Sequence, residues 1–424
     1  MSKNHFLAYD LTHKTLWHEG RSVDRYDYRT SSGERISFAT SAQGLIWRVP
    51  FFITDNIFYI KVKDRLIFSK KIDDLRQFSH VDGHANVLLR RAGFLPHART
   101  QYAGVSVVCS YLTYVASPSG VSVSSCFPYK GTAEKLSVDD LMFVFRRAFQ
   151  RQLERVNRDS WVLPLSGGMD SRLLLSLALE HKDIELKLFT LGTRRSGDIN
   201  LAKSIAERLG LSDRHKILYL EDLRLSDILD NYKACGYLLP LDRILTKPMG
   251  DFFKPAAVLS GLYGDVIFSD NTGEERCYST YYQDEGFEIY DDVDREIVLE
   301  YGKMPRFAKL QRVALRCQKL TRQSFPINPG FDFVIPFVDP EVIMVSSQIK
   351  SSRIYPEIVS RYMQPELREF IHQSSLSFFT HPNWLRMAER KVFKLLRHPA
   401  RLPYFDSAYL RTLAVTANDA PIPE

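Results

Sequence analysis

Cysteine is scarce and poorly placed for chemistry. Cys109, Cys126, Cys235, Cys277 and Cys317 are five in 424 residues, an odd number with no C-x-x-C pair. That argues against a disulfide framework and against a zinc site. Long apolar runs are missing too. None reaches the ~18 residues of a membrane span, and Met1 to Phe6 lacks the apolar core of a secretory signal. A soluble, cytoplasmic protein with no membrane span is therefore expected. There is no G-x-x-x-x-G-K-S/T string, which excludes a Walker loop. Neither sign of charge dominates: 57 Lys and Arg against 50 Asp and Glu leave a formal +7. That suits an anionic ligand without requiring nucleic acid. The length favours two domains over one core.

What is present is a glycine turn in a defined setting. Ser166-Gly167-Gly168-Met169-Asp170-Ser171 follows Trp161 to Leu165, an apolar run that reads as a buried strand, and precedes Arg172 to Glu180, which reads as a helix. Strand, glycine turn and helix gather backbone N–H groups around an anion, and the helix N-terminus adds partial positive charge there. Gly167 and Gly168 can take positive φ and let a ligand approach the backbone. Ser166 and Ser171 offer hydroxyl donors to phosphate oxygens. Asp170 is the odd member. A carboxylate beside phosphate is repelled unless a cation lies between them, which points to Mg²⁺. A turn that merely needs its glycines is the plainer account of a bare Gly-Gly pair; the whole string in this setting favours a nucleotide. Pro164 has no N–H and is unusual in a central strand, though it lies near the strand's end.

The chain on either side falls into two parts. Residues 1–130 read as β-rich, with strands at Val49 to Thr54, Ile57 to Lys63, Arg65 to Ser69, Val105 to Cys109 and Tyr111 to Val115. One helix is expected from His84 to Ala92. Residues 131–135 are a candidate linker. Residues 131–424 then begin with a helix capped by Ser137, with Asp140 favouring its positive end. Its apolar stripe is interrupted by Gln152, and Arg146, Arg147, Arg151 and Arg155 are read as a solvated face. From Trp161 strands and helices alternate. Further strands are expected at Ile184 to Leu191, Lys216 to Leu220 and Pro255 to Ser260. Helices are expected at Asp198 to Leu209, closed by Gly210, and at Leu223 to Ala234. The fold class is α/β, a doubly wound parallel sheet preceded by a smaller β-rich domain, with ligand at the carboxyl ends of the strands.

That rule predicts ligand chemistry at the other strand ends. Leu191 and Gly192 suit an adenosine edge. Ser260-Gly261-Leu262-Tyr263-Gly264-Asp265 repeats the pairing of two glycines with one carboxylate. Asp170 and Asp265 would then share Mg²⁺ across one cleft, or Asp265 would simply be an N-cap. Beyond them, residues 271–305 form an acidic, Tyr-rich excursion. Trp384 to Arg397 reads as a helix with Arg386, Arg390, Lys394 and Arg397 on one stripe, either a solvated face or an anion-binding one. Residues 416–424 read as a polar tail.

Collected, these features resemble the asparagine synthetase-like ATP pyrophosphatases. Leu165 to Ser171 looks like their PP-loop, where ATP is cleaved to AMP and pyrophosphate. Asp198, Ala202, Ala206 and Leu209-Gly210 resemble the helix after their second strand. Leu259 to Phe268 is similar to their S-G-x-G-x-D-x-x-F segment, with an internal glycine shifted. Ile335 to Pro340 resembles their P-F-L-D turn. Leu66 to Leu75 and Gly93 to His97 resemble the later part of the family's N-terminal nucleophile glutaminase-like domain.

The resemblance implies a fold of the adenine nucleotide α-hydrolase type. It implies ATP and Mg²⁺, with the nucleotide on Leu165, Ser166, Gly167, Gly168, Asp170, Ser171, Leu191 and Gly261, the metal on Asp170 and Asp265, and Lys391 as the transition-state lysine. The departures matter equally. Ser2 follows Met1 where glutamine-dependent members carry a cysteine nucleophile, so glutaminase activity is expected to be absent and the first domain degenerate. Leu262 fills the position of a glutamate in asparagine synthetase, which argues against asparagine synthesis itself. The expected activity is ATP-dependent amide formation. A carboxylate is adenylated, pyrophosphate leaves, and an amine captures the acyl group; the substrates would be small molecules, sugar acids or peptides. The alternatives are an RNA-modifying PP-loop ATP pyrophosphatase and a non-catalytic nucleotide-binding relative. Basic residues spread along the chain, and cysteines at no recognisable spacing, count against RNA. Oligomeric state is not legible.

Overall fold

A computed structural model describes residues 6–30, 33–53, 55–83, 85, 98–126, 136–182, 184–192, 194, 196–219, 222, 256–268 and 331–370. The chain divides into two compact units, the first holding the described residues up to 126 and the second those from 136 onward.

The first unit is two antiparallel sheets. One has six strands in the order β3-β2-β1-β8-β7-β9, from β1 (Leu7–Asp10), β2 (Thr15–His18), β3 (Arg21–Val23), β7 (Phe58–Val62), β8 (Arg65–Ser69) and β9 (Val105–Val107). The other has five in the order β11-β10-β6-β5-β4, from β4 (Arg25–Arg29), β5 (Arg35–Ser41), β6 (Gly44–Val49), β10 (Leu112–Ser117) and β11 (Gly120–Ser125). A short helix, α1 (Ile72–Arg76), follows β8. Alternation sends Ile36 and Phe38, and Leu112, Tyr114 and Ala116, to one buried face of the five-stranded sheet. There they meet aromatics of the six-stranded sheet. Phe38 stands edge-on to Phe68 at 5.2 Å, Trp47 edge-on to Tyr59 at 5.5 Å, and Trp47 stacks on its neighbour Tyr114 at 4.8 Å.

One expected strand is corrected. Residues 50–53 do not form one: β6 ends at Val49, where Pro50 removes the next donor. Phe51, Phe52 and Ile53 are buried as loop, with the Ile53 N–H given to Ser110 Oγ at 3.0 Å.

The second unit is a five-stranded, wholly parallel sheet in the order β14-β13-β12-β15-β16. Its strands are β12 (Ser160–Pro164), β13 (Glu185–Gly192), β14 (His215–Tyr219), β15 (Ala256–Leu259) and β16 (Phe331–Val334). Helix α2 (Val138–Val156) precedes the sheet, α3 (Met169–Ala178) follows β12, and α4 (Gly197–Arg208) follows β13. From β12 the chain winds outward through β13 to β14 on one side, while β15 and β16 lie on the other. The order therefore reverses between β12 and β15, and a parallel sheet opens a crevice at the carboxyl ends of its strands there.

Local sequence explains these helices. Ser137 and Asp140 form a reciprocal capping box at the start of α2. Beyond α4, Gly210 takes φ +66°, its N–H bonds Glu207 O at 3.0 Å, and the Leu211 N–H bonds Ala206 O at 2.8 Å, a Schellman ending. Of the α2 arginines expected on a solvated face, Arg146 and Arg147 are about half exposed, as expected, and Arg151 is drawn inward. Helix α2 packs on β16 and on α6 (Pro340–Ser346). Arg151 reaches the buried Asp339, Arg147 reaches Glu341, and Arg146 forks onto Glu180 at 2.6 and 2.9 Å. Asp339 also caps α6 by accepting the Glu341 N–H at 3.0 Å, so its pairing with Arg151 anchors one helix to the other. Gln152 interrupts the apolar stripe because it serves Ile335 twice, accepting its N–H at 2.6 Å and donating to its carbonyl at 3.4 Å. The helices expected at 84–92, 223–234 and 384–397, the linker at 131–135, the acidic excursion and the tail lie outside the described residues, apart from isolated positions of the first.

Candidate functional site

The crevice is built from the end of β12 upward. Pro164 pairs across to Phe189, beyond the two residues, Trp161 and Val162, that pair with β15. The missing N–H therefore falls where the central ladder is already ending. Leu165 is then clamped to β13. Its N–H bonds Phe189 O at 2.7 Å, and its carbonyl accepts the Thr190 hydroxyl at 2.6 Å. That spends the only proton of Thr190, so the 2.8 Å contact with His215 Nε2 assigns the imidazole as Nε2–H donor. Burial first, and the Lys203 charge second, hold His215 below its ordinary pKa, in keeping with a neutral ring. Thr190→Val removes both bonds from a buried site and leaves the Leu165 carbonyl short of a partner. It is expected to cost about 1–3 kcal/mol in a urea denaturation series.

From Leu165 the chain turns through the glycines. Gly167 has φ +74°, and a Cβ there would stand 2.6 Å from Leu201 Cδ2 on α4, so the position admits glycine for both reasons. Ser171 Oγ donates to Gly168 O at 3.0 Å. Helix α3 begins at Met169, three residues earlier than the sequence suggested. Its cap is Gly168, which makes no side-chain cap bond. Among the described residues, the first-turn N–H groups are therefore left without a side-chain cap at the mouth of the crevice.

The strand on the other side of the reversal closes against this turn. After β15, Ser260 Oγ accepts the Leu262 N–H at 3.3 Å, Tyr263 takes φ +74°, and α5 (Gly264–Phe268) begins. Asp265 is in the first turn of α5, within the helix and not its cap. A Cβ on Gly261 would lie 3.2 Å from both Asp170 Cβ and Ser171 N. A Cβ on Gly264 would lie 2.1 Å from Asp170 Oδ1. These glycines are absences of side chain into which Asp170 fits.

Asp170 is held from two directions. The backbone N–H of Asp265 donates to its carboxylate, and the hydroxyl of Tyr355, on α7 (Ser351–Arg361), donates to its Oδ1. Desolvation, with repulsion from the Asp265 carboxylate acting against the Tyr355 bond, pushes the Asp170 carboxyl up to about 7. The same burial, with Asp170 beside it, raises the Tyr355 phenol.

The sign of the resulting pH dependence follows. Below the ordinary value of 3.8 both folded and unfolded chains carry the proton. Between there and about 7 only the folded chain does, and above about 7 neither does. Folded protein binds the extra proton in that window, so this group's contribution falls as pH rises through it and then levels off, a total on the order of 4 kcal/mol. The difference in unfolding free energy between wild type and Asp170→Asn without nucleotide is expected to follow that curve, read by denaturant titrations from pH 4 to 8.

The donor set fits Mg²⁺. The repulsion between the two carboxylates is relieved by a proton on Asp170 or by a cation shared with Asp265, and Mg²⁺ is commonly bound by one or two carboxylates together with substrate phosphates, without an all-protein cage. No cluster of three or more metal-ligating side chains occurs among the described residues.

Of the residues the sequence singled out, Leu165, Ser166, Gly167, Gly168, Asp170, Ser171, Gly261 and Asp265 meet at this reversal. Leu191 lies one strand away, part-buried and paired with Leu218 in β14. Lys391 and Ser2 lie outside the described residues. Leu262 is 40% exposed at the rim. Tyr355 was missed, since a tyrosine between Ile354 and Pro356 carries no local signal. Arg172 was missed as well. It is 2% exposed, and its guanidinium donates to Leu367 O at 2.9 Å and Phe370 O at 2.7 Å, tying α3 to the segment around α8 (Pro365–Arg368).

Residues 143–252 match the family model described as Asparagine synthase. They carry an asparagine synthase-like adenine nucleotide α-hydrolase domain, the ATP-pyrophosphatase part, in a family that typically uses ATP and Mg²⁺. The resemblance carried by the glycine turn is borne out over that span, which runs from within α2 through β14 and ends before β15, Asp265 and Tyr355. No curated protein matches the chain. No helix among the described residues is long and apolar enough to cross a membrane.

Proposed function

We propose, with the asparagine synthase domain of residues 143–252 as premise, that this chain is an ATP-dependent amide-forming ligase releasing AMP and pyrophosphate. One observation carries the reading. The glycine turn at the uncapped start of α3 and the Gly261–Asp265 turn interlock at the strand-order reversal and bring two carboxylates together. The first-turn N–H groups of α3, with Ser166 and Ser171, bind the β- and γ-phosphates. Asp170 and Asp265 would hold Mg²⁺, which supplies charge neutralisation on the departing pyrophosphate. Leu191 and the carboxyl end of β13 border the adenosine, and Gly261 permits close approach.

A substrate carboxylate attacks the α-phosphorus, and the bond to the pyrophosphate oxygen breaks. An amine then attacks the acyl-adenylate carbonyl, loses a proton, and AMP leaves. The chain's part is orientation and electrostatic stabilisation, with Lys391 assigned to the developing phosphate charge. Leu262 in place of a carboxylate removes an ammonia-handling group, which favours an organic amine over ammonia. The two antiparallel sheets, within residues 1–130, form a glutaminase-like unit without its glutaminase role, and residues 131–424 form the synthetase domain.

The test is AMP and pyrophosphate release from Mg-ATP across amino acids, peptides and sugar acids. Release that depends on one carboxylate supports the reading. ADP and inorganic phosphate as products would overturn it.

A further inference from the structure

We infer that Tyr355 is the positioning residue of this site, its hydroxyl fixing the Asp170 carboxylate in the orientation that a divalent cation requires. The inference rests on the function proposed above and adds a residue 185 positions away in the chain. An ionised carboxylate has about four acceptor sites on its two oxygens. The Tyr355 hydroxyl and the Asp265 N–H occupy two of them from two different elements, which sets the rotamer and leaves acceptor capacity for a metal.

The aromatic ring is itself placed. It stands edge-on to Phe268 with centroids 5.9 Å apart, and Phe268 lies three residues beyond Asp265 on α5. Phe268 in turn meets Phe337 at 5.0 Å and Phe145 at 5.5 Å. One short helix thus supplies the second carboxylate, the amide that holds the first, and the brace for the hydroxyl that orients it. Partners of this kind behind a metal ligand are worth roughly 10–100-fold in metal affinity or activity.

Two variants separate orientation from packing. Tyr355→Phe keeps the ring against Phe268 and removes only the hydroxyl, while Tyr355→Leu removes the ring as well. Mn²⁺ binding is measured by electron paramagnetic resonance on the full chain with α,β-methylene ATP, which resists cleavage, so no turnover enters the readout. Mn²⁺ affinity is expected to fall about 10–100-fold in Tyr355→Phe and by at least as much in Tyr355→Leu. Tyr355→Phe within twofold of wild type would overturn the inference, and a loss in Tyr355→Leu alone would then assign the ring a packing role. Should wild type itself hold no Mn²⁺ alongside the analogue, the ligase reading fails and this inference with it. That outcome differs from wild-type binding that the phenylalanine leaves unchanged.

Discussion

Replacing Asp170 by asparagine is expected to lower substrate-dependent pyrophosphate release by at least about a thousandfold, a barrier increase of ~4 kcal/mol, while the chain stays folded. Asparagine has the same shape, so it still fits beneath Gly261 and Gly264. Its side-chain oxygen still accepts the Tyr355 hydroxyl or the Asp265 N–H. What it loses is the negative charge. That charge is the one burial and Asp265 already disfavour, so without nucleotide at pH 8 the variant should melt above wild type. Lower activity with higher stability is the combination that separates a functional carboxylate from a structural one. A pyrophosphate-coupled assay beside a thermal melt decides it. An asparagine variant keeping a tenth of wild-type turnover would remove Asp170 from the metal site.

The elements read correctly from sequence are those whose cause is local. Ser137 and Asp140 sit three residues apart and cap α2. Gly210 ends α4 by its own φ. The glycine turn sits between an apolar strand and a helix, and both formed. Pro164 was a concern only in isolation: β15 pairs with β12 lower down, and that depends on register between strands far apart in the chain. Arg151 departs from the solvated face for the same reason, because periodicity shows which face an arginine occupies but not that Asp339 and Glu341 lie opposite. The run from Phe51 to Ile53 is apolar because it is buried, and burial alone does not make a strand when Pro50 interrupts the ladder. The early strands β1 to β5 were not singled out individually, since several of them, such as Arg25–Arg29, expose alternate charged residues. At the site, both halves of the carboxylate pair were legible because each turn carries glycines. Tyr355 was not, because its importance comes from a contact between α7 and α3 that nothing within either helix announces.

Gly264→Ala should be the sharpest test of how the two turns interlock, because helix propensity and packing predict opposite signs. Gly264 opens α5, and an alanine within a helix is ordinarily favoured over glycine by about 1 kcal/mol. Here the added Cβ would stand 2.1 Å from Asp170 Oδ1, 2.2 Å from Cγ and 2.7 Å from Oδ2, separations that carbon does not tolerate. Asp170 cannot simply withdraw, since Gly261 lies against its Cβ and Tyr355 holds its Oδ1. The two turns must separate by roughly 1 Å, a displacement of the size that costs about a hundredfold in rate when it misplaces reacting groups. Overpacking adds about 1–3 kcal/mol of destabilisation. Gly197→Ala is the matched control. It too lies at the start of a helix, α4, but its Cβ would meet nothing within 4 Å, so stability should hold or rise slightly and turnover stay at the wild-type level. A hundredfold loss in Gly264→Ala beside an unchanged Gly197→Ala assigns the effect to contact with Asp170. Equal activity in the two would show that the Gly261–Asp265 turn does not hold the carboxylate, and the geometry behind the proposed metal pair would fall with it.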